Sequence, residues 1–146
     1  MKDYIRVCDI EKYYGTDKTV TKAVDRVSFA VEQGEFIGVM GASGSGKTTL
    51  LNMLSAIDRV TAGHIFYEDT DITELSEAQI ARFRKDNLGF VFQEYNLLDT
   101  LTLEENIMLA MSLRKEKKSV IEKECREMLR LLGIEEVKDQ FPYQVS

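Results

Sequence analysis

The chain has 146 residues, 44% of them hydrophobic, and a formal net charge of −6, which suffices for one domain and argues against a protein whose main partner is nucleic acid. It has no run of about 18 apolar residues and no apolar signal core, so we expect it to stay in the cytoplasm. Cys8 and Cys125 lie far apart and His64 is the single histidine. This pattern indicates neither a disulfide framework nor a zinc site, it argues against a Ser-His-Asp or metal mechanism, and we interpret all three residues as structural.

The N-terminal segment has the alternating pattern of β-strands. Residues 4–10 and 20–32 show it, and in the second of them Val27, Phe29 and Val31 alternate with smaller or polar residues. A turn at 33–34 follows. These features predict an antiparallel β layer over about residues 1–35.

A glycine-rich segment follows the apolar run Phe36–Met40, which has the pattern of a buried parallel strand. After it, leucine and isoleucine recur at helical spacing over residues 50–57, which predicts a helix packing one face on a sheet. The segment itself consists of Gly41, Ala42, Ser43, Gly44, Ser45, Gly46, Lys47, Thr48 and Thr49. A glycine-rich loop that ends in Lys-Thr, between a strand and a helix, predicts a phosphate-binding loop rather than a flexible linker.

The chemistry of a triphosphate explains these residue types. The three glycines keep side chains away from the backbone N–H groups that must point at the phosphate oxygens, and the start of the helix adds further N–H groups. Lys47 supplies a positive charge near the β and γ phosphates, and Thr48 a hydroxyl ligand for Mg²⁺. Thr49 is interpreted as a packing or helix-start residue. The sequence therefore predicts a protein that binds a nucleoside triphosphate with Mg²⁺.

Three further helices are predicted after a strand that Thr61–Gly63 introduces. Each has the spacing of a capping box, Ser76 with Gln79, Thr102 with Glu105, and Ser119 with Glu122. The last helix is predicted to end at Gly133. Its expected buried face comprises Ile121, Cys125, Met128, Leu129 and Leu132.

A second buried strand is predicted at Leu88–Phe92, directly before Gln93. A glutamine at this position has two interpretations. It faces solvent at the end of the strand, or it lies at the sheet edge where α/β proteins bind ligands and reaches Mg²⁺ or the attacking water. The residues alone leave both open.

Seven segments together resemble the ATP-binding subunit of an ABC transporter, in particular the bacterial branch with bacitracin-type antimicrobial-peptide exporters, lipoprotein-release systems and macrolide exporters. They are Lys12–Gly15, Gly34–Phe36, Gly41–Leu54, Arg59–Gly63, Leu88–Gln93, Asn96–Leu98 and Leu101–Asn106. The resemblance covers essentially the whole chain. It implies an α/β fold, with the antiparallel layer over about residues 1–35, a P-loop NTPase core over 36–93 and part of a helical subdomain over 94–146.

The resemblance also implies residue roles. Tyr14 would stack on adenine, with Tyr13 as the neighbouring candidate, although without the resemblance an aromatic at a strand end is more often a packing residue. Residues 41–49 would hold the phosphates of ATP. Gln93 would contact Mg²⁺ and sense a transmembrane permease subunit. The groove that receives the permease would lie near Tyr95, Leu97 and Leu98.

By the same resemblance the protein would work at the cytoplasmic face of a membrane, where ATP binding and hydrolysis by a head-to-tail pair of ATP-binding subunits drive export. The family's Leu-Ser-Gly-Gly-Gln signature, a strand ending in Asp-Glu and a switch histidine are missing from residues 1–146. We therefore expect a fragment, ending at or inside the signature, without the general base. The strands between its two buried strands would come from beyond residue 146. Such a fragment should fold poorly alone or only on association, bind nucleotide weakly at most and show negligible turnover.

Two other classes of P-loop enzyme are alternatives, a kinase and a GTPase. A P-loop kinase would need an arginine-rich lid over its acceptor, and a GTPase would need an Asn-Lys-x-Asp string, which does not occur. The third alternative is a noncatalytic module that binds nucleotide and a partner.

Overall fold

A computed structural model describes residues 3–16, 19–93, 95–114 and 116–145. The chain forms two compact units, Met1–Phe90 and Val91–Ser146. Ser146, at or inside the expected family signature, lies outside the described residues, as does Glu94.

The first unit contains an antiparallel sheet of four strands. They are β1 (Asp3–Thr16), β2 (Thr19–Glu32), β3 (Ala62–Tyr67) and β4 (Thr70–Asp71), in the order β2-β1-β3-β4. Strand β1 pairs with β2 on one side, with Val7 opposite Phe29, and with β3 on the other, with Val7 opposite Ile65. The antiparallel layer predicted at the N-terminus is confirmed.

Two helices pack on this sheet, α1 (Lys47–Leu54) and α2 (Glu77–Asn87), and a 3-10 helix spans Ile72–Glu74. Met53 of α1 and Ile80 of α2 are the helical residues buried in the core of the first unit. The other buried members are Val7, Ile10, Val24, Ala56, Ile65, Tyr67 and Ile72. Removing these apolar side chains from water fixes α1, and with it the loop before α1, against the sheet.

The second unit contains α3 (Leu103–Ser112), α4 (Lys118–Leu131) and the 3-10 helices Glu135–Val137 and Pro142–Gln144. Helix α4 buries a narrow stripe at every fourth residue, Ile121, Cys125 and Leu129. The Cys125 thiol lies 3.8 Å from the Glu104 carbonyl oxygen of α3. In the described residues, no helix has both the length and the apolar character needed to cross a membrane.

Asn106 of α3 ties this helix to the segment before it. Its Nδ2 donates to the carbonyl oxygens of Leu98 at 3.1 Å, Leu101 at 3.2 Å and Thr102 at 2.9 Å. Its Oδ1 accepts from the Leu98 N–H at 2.8 Å. One side chain therefore satisfies backbone groups on both sides of the turn that begins α3.

The predicted helix starts are correct for α2 and α3 and wrong for α4. Gln79 accepts from the Ser76 N–H at 2.9 Å, and Thr102 and Glu105 bond each other reciprocally. The third box fails because the first turn of α4 closes on the carbonyl of Lys117, which places Ser119 inside the helix.

The predicted end of α4 is confirmed, but its predicted buried face is too wide. Gly133 follows the helix with φ +69°, in the left-handed region that glycine enters most easily. Met128 and Leu132 flank the buried stripe and are exposed, because a stripe of period four leaves its neighbours at the solvent boundary.

The two predicted buried strands are not strands in this structure. Phe36–Met40 and Leu88–Phe92 have no regular secondary structure. Phe36 and Val91 are fully exposed to solvent, at 98% and 102%. A parallel strand is buried only where other strands flank it, and the sheet of the described residues consists of β1–β4 alone. The exposure agrees with the expectation that these runs lack neighbouring strands.

Candidate nucleotide site

The glycine-rich loop turns sharply and runs straight into α1. The Ser45 N–H donates to the Ala42 carbonyl at 3.2 Å. The first helical hydrogen bond runs from the Leu50 N–H to the Gly46 carbonyl at 2.8 Å. The N–H groups of residues 47–49 precede that bond and have no partner within the helix. They form a positive end suited to an anion.

Gly46 explains how the loop packs so closely on the sheet. Its φ of +88° is left-handed, and a Cβ there would lie closer to the Ala23 carbonyl oxygen of β2 than real Cβ atoms come. Gly44 also has a left-handed φ, +77°, but open space surrounds it. At Gly46, the missing side chain avoids a clash with the protein's own backbone. At Gly44, glycine permits the left-handed φ and leaves room for a ligand.

Lys47, the first residue of α1, folds back over the loop. Its Nζ donates to the Gly41 carbonyl at 2.9 Å and to the Ala42 carbonyl at 2.7 Å. Thr48 is exposed and Thr49 is half-buried in the same helical turn. A full positive charge, a hydroxyl and the start of a helix therefore meet at one loop, which is the combination that a magnesium-bound triphosphate requires.

Tyr14 lies beside this helix, near the end of β1. Its hydroxyl donates to Asp58 Oδ2 at 2.7 Å and also interacts with the Thr49 hydroxyl. The hydrogen bond to Asp58 raises the pKa of the Tyr14 phenol. Because 44% of Tyr14 remains exposed, an aromatic surface stands open next to the first turn of α1.

Tyr13 points elsewhere, since successive residues of a strand face opposite sides. Its hydroxyl donates to Glu11, and the Lys22 ammonium lies 5.2 Å from its ring centroid. Of the two aromatic candidates, the structure brings Tyr14 next to α1.

Sequence reasoning missed two residues that surround Tyr14. Lys12 Nζ donates to Asp58 Oδ1 at 2.6 Å and to the Arg59 carbonyl at 2.6 Å. The Arg59 N–H donates to the same Asp58 oxygen at 2.8 Å. Lys12 stood in one of the quoted segments, but Asp58 is 46 residues away and nothing in the sequence pairs them.

Acid should weaken the cluster formed by Lys12, Tyr14 and Asp58. Burial raises the pKa of Asp58, but hydrogen bonds from Lys12 and Tyr14 outweigh it and hold the pKa below its ordinary value of 3.8. A lowered carboxyl pKa adds stability that is complete above the unfolded pKa and is lost as the pH falls through the folded one.

We therefore expect Asp58→Asn to destabilise the protein at pH 7, with a difference from wild type that shrinks below about pH 4. Urea unfolding followed by circular dichroism between pH 7 and pH 2.5 measures this difference. The solution should be dilute, because the pH range crosses the isoelectric point of about 4.9, where proteins associate most readily. A difference that stays constant over this range contradicts the prediction.

Gln93 belongs to the second unit, where it is exposed. Its predicted contact with Mg²⁺ stays a prediction, as does the role of Tyr95, Leu97 and Leu98 toward a permease.

His64 connects β3 to the segment after β4. Its Nδ1 lies 2.7 Å from Asp71 Oδ2, while Asp71 Oδ1 accepts from the Thr73 N–H at 2.9 Å. One ligand atom each of His64, Asp71 and Glu74 lies within 4.8 Å of the others, a proximity that the sequence interpretation did not anticipate. Cys8 is half-buried, Cys125 is buried, and both thiols are free.

Comparison with known proteins matches this chain to one family. The family model described as ABC transporter covers residues 24–146. The bacitracin export ATP-binding protein BceA of Halalkalibacterium halodurans is 46% identical over 97% of this chain and 56% of its own length. The lipoprotein-releasing system ATP-binding protein LolD of Cytophaga hutchinsonii is 36% identical over the whole chain and 65% of its own length.

A solved structure has the same fold. It is the dimeric post-hydrolysis state of the ATP-binding cassette MJ0796 bound to ADP and Pi, with a TM-score of 0.87 and 29% identity over 97% of this chain and 63% of that one. The chain thus spans roughly three fifths of the relatives it matches. The predicted fold class is confirmed, and the chain belongs to the family of ABC transporter ATP-binding proteins.

Proposed function

We propose that the chain binds MgATP through residues 41–49 and Tyr14 as part of the ATP-binding subunit of an ABC exporter. The observation that carries the proposal is the side-chain-poor loop at the start of α1 with the Lys47 ammonium folded over it. The exposed ring of Tyr14, whose hydroxyl interacts with Thr49 of the same helix, adds an aromatic surface. The N–H groups of the first turn and Lys47 would hold the phosphates, and Tyr14 would stack on adenine.

The residues present also fit a magnesium ion. When bound, Mg²⁺ neutralises charge on the phosphates. Thr48 is exposed in the first turn of α1, so its hydroxyl is available as one oxygen ligand. By the family resemblance, Gln93 is the candidate for a further contact with Mg²⁺ and for sensing the permease.

Export is supported by the relatives. The name of BceA describes bacitracin export, and that of LolD a lipoprotein-releasing system. We infer that this protein acts with a transmembrane permease at the cytoplasmic face of a membrane. A second ATP-binding subunit completes the assembly, since the MJ0796 cassette forms a dimer.

Hydrolysis requires groups beyond those in residues 1–146. A carboxylate must position the attacking water, and a second subunit must close on the γ-phosphate. Four apolar residues ending in an acid at the end of a strand do not occur in the sequence. We therefore expect residues 1–146 to bind MgATP weakly and to turn it over negligibly.

Nucleotide competition tests the proposal. A fluorescent ATP analogue is bound to the protein with Mg²⁺ and displaced by ATP or by GTP. We expect ATP to displace the analogue at least as well as GTP, because a tyrosine ring can stack on either purine and the sequence has no Asn-Lys-x-Asp string to select guanine. A strong preference for GTP would overturn the assignment in favour of a GTPase.

Capture of the permease separates an exporter subunit from a module that merely tethers nucleotide. Wild type and Lys47→Ala are compared in pull-down of a candidate transmembrane permease subunit, with and without MgATP. Capture that responds to MgATP only in wild type supports coupling, and capture indifferent to both supports the tethering module.

A further inference from the structure

Tyr14 is held by more contacts than a surface aromatic needs. Its phenol donates to one oxygen of Asp58, and the other oxygen accepts from Lys12 at 2.6 Å. Asp58 itself is fixed by the Arg59 N–H, and the Asp58 N–H donates to the Asn52 carbonyl of α1 at 3.0 Å. The ring is thus tied through one carboxylate to the end of the helix whose start carries the phosphate loop.

The two faces of the Tyr14 ring are not equivalent. The Lys12 ammonium lies 5.0 Å from the ring centroid, a distance at which a cation is attracted to the π face. The Lys12 side chain is only 12% exposed, and its ammonium is held in place by the ion pair with Asp58. Because Lys12 lies over one face, a planar ligand would have to stack on the other.

We propose that Asp58 and Lys12 are positioning residues that hold the ring of Tyr14 ready for the base of the bound nucleotide. The inference rests on the proposed MgATP site and adds to it a specific cause for base affinity. A ring free to rotate must be ordered when the base stacks, and that ordering opposes binding. The hydrogen bond from the phenol to Asp58 removes this cost, because the side chain is already fixed in the free protein.

The hydroxyl of Tyr14 separates positioning from stacking. Tyr14→Phe keeps the ring but loses its link to Asp58, whereas Tyr14→Ala removes the ring. We expect Tyr14→Phe to weaken ATP binding by about three- to tenfold, and Tyr14→Ala to weaken it further. Asp58→Asn leaves one acceptor oxygen where Lys12 and Tyr14 use two. It should therefore resemble Tyr14→Phe, and the double variant should be no weaker than either single one, because both changes act on the same link.

Inorganic tripolyphosphate tests the phosphate loop without the base. Titration calorimetry with magnesium tripolyphosphate and with MgATP is carried out on the full chain and each variant. Tripolyphosphate binding should stay within about twofold of wild type in every Tyr14 and Asp58 variant, since an effect routed through the base leaves the loop untouched. Asp86→Asn, in which an exposed carboxylate near Arg82 on α2 is replaced, is the charge-matched control.

The outcomes separate the two proposals. If wild type that is folded by circular dichroism binds neither ligand, the phosphate loop assignment fails and the positioning role fails with it. If Tyr14→Ala binds ATP like wild type, the base does not stack on Tyr14. If Tyr14→Ala is weakened but Tyr14→Phe is not, stacking stands and positioning by Asp58 is overturned. Equal loss of both ligands in Asp58→Asn shows a merely structural role and also overturns it.

Discussion

Lys47→Ala is expected to abolish detectable MgATP binding and to leave the far-ultraviolet circular dichroism spectrum unchanged. The ammonium is the side-chain charge at the loop, held over it by the Gly41 and Ala42 carbonyls. Hydrogen bonds between ionised groups are among the strongest in proteins, so the loss should be about 3 kcal/mol or more, over 100-fold in affinity. Lys47 is outside the hydrophobic core, so the fold should not depend on it.

Lys85→Ala is the matched control. Lys85 is an exposed lysine in the last turn of α2, and its replacement changes the net charge equally. Calorimetric titration of MgATP into wild type and both variants measures the effect. Retained binding in Lys47→Ala, or an equal loss in Lys85→Ala, would count against the phosphate loop assignment.

Gly46→Ala should both destabilise the first unit and disable the loop. The added Cβ meets the Ala23 carbonyl of β2, and the φ of +88° is one that alanine adopts at a cost. Left-handed strain alone costs about 1–2 kcal/mol, and the contact with backbone adds to it because neither strand nor helix can move freely. We expect a loss of about 3 kcal/mol or more in unfolding free energy.

Gly44→Ala separates strain from collision. Gly44 has a similar φ, +77°, but its Cβ would meet nothing, so only the conformational cost of about 1–2 kcal/mol applies. Urea unfolding followed by circular dichroism compares the two variants. Equal losses would show that the close approach of the loop to β2 does not matter for stability.

The elements that could be predicted from sequence are those whose signals are local. The loop and α1 follow from Gly44, Gly46 and Lys47 in one short segment, and α3 from the reciprocal pair Thr102 and Glu105. Both depend on bonds within a single turn, so neighbouring residues suffice to predict them. Ser119 had the same spacing, but the competing closure of the first turn on Lys117 was not visible in it.

The features that failed or were missed depend on distant residues. Phe36–Met40 has an apolar composition suited to burial, but burial requires neighbouring strands, which a local pattern cannot supply. Asp58 carries no pattern of its own, and its importance arises because the fold brings it to Lys12 and Tyr14. The family resemblance favoured Tyr14 over Tyr13. The geometric reason is that successive side chains of β1 point to opposite faces of the sheet, and the sequence did not show how β1 pairs.

For Lys47, binding a phosphate would replace existing hydrogen bonds rather than only add new ones. Its ammonium already has two carbonyl acceptors, so an incoming phosphate must displace them. Weakly charged oxyanions compete poorly with a preformed pair of this kind, whereas a polyanion wins by its greater electrostatic attraction. If the loop binds phosphate as proposed, these two acceptors would therefore favour ligands of high negative charge, and they hold the Lys47 side chain over the loop.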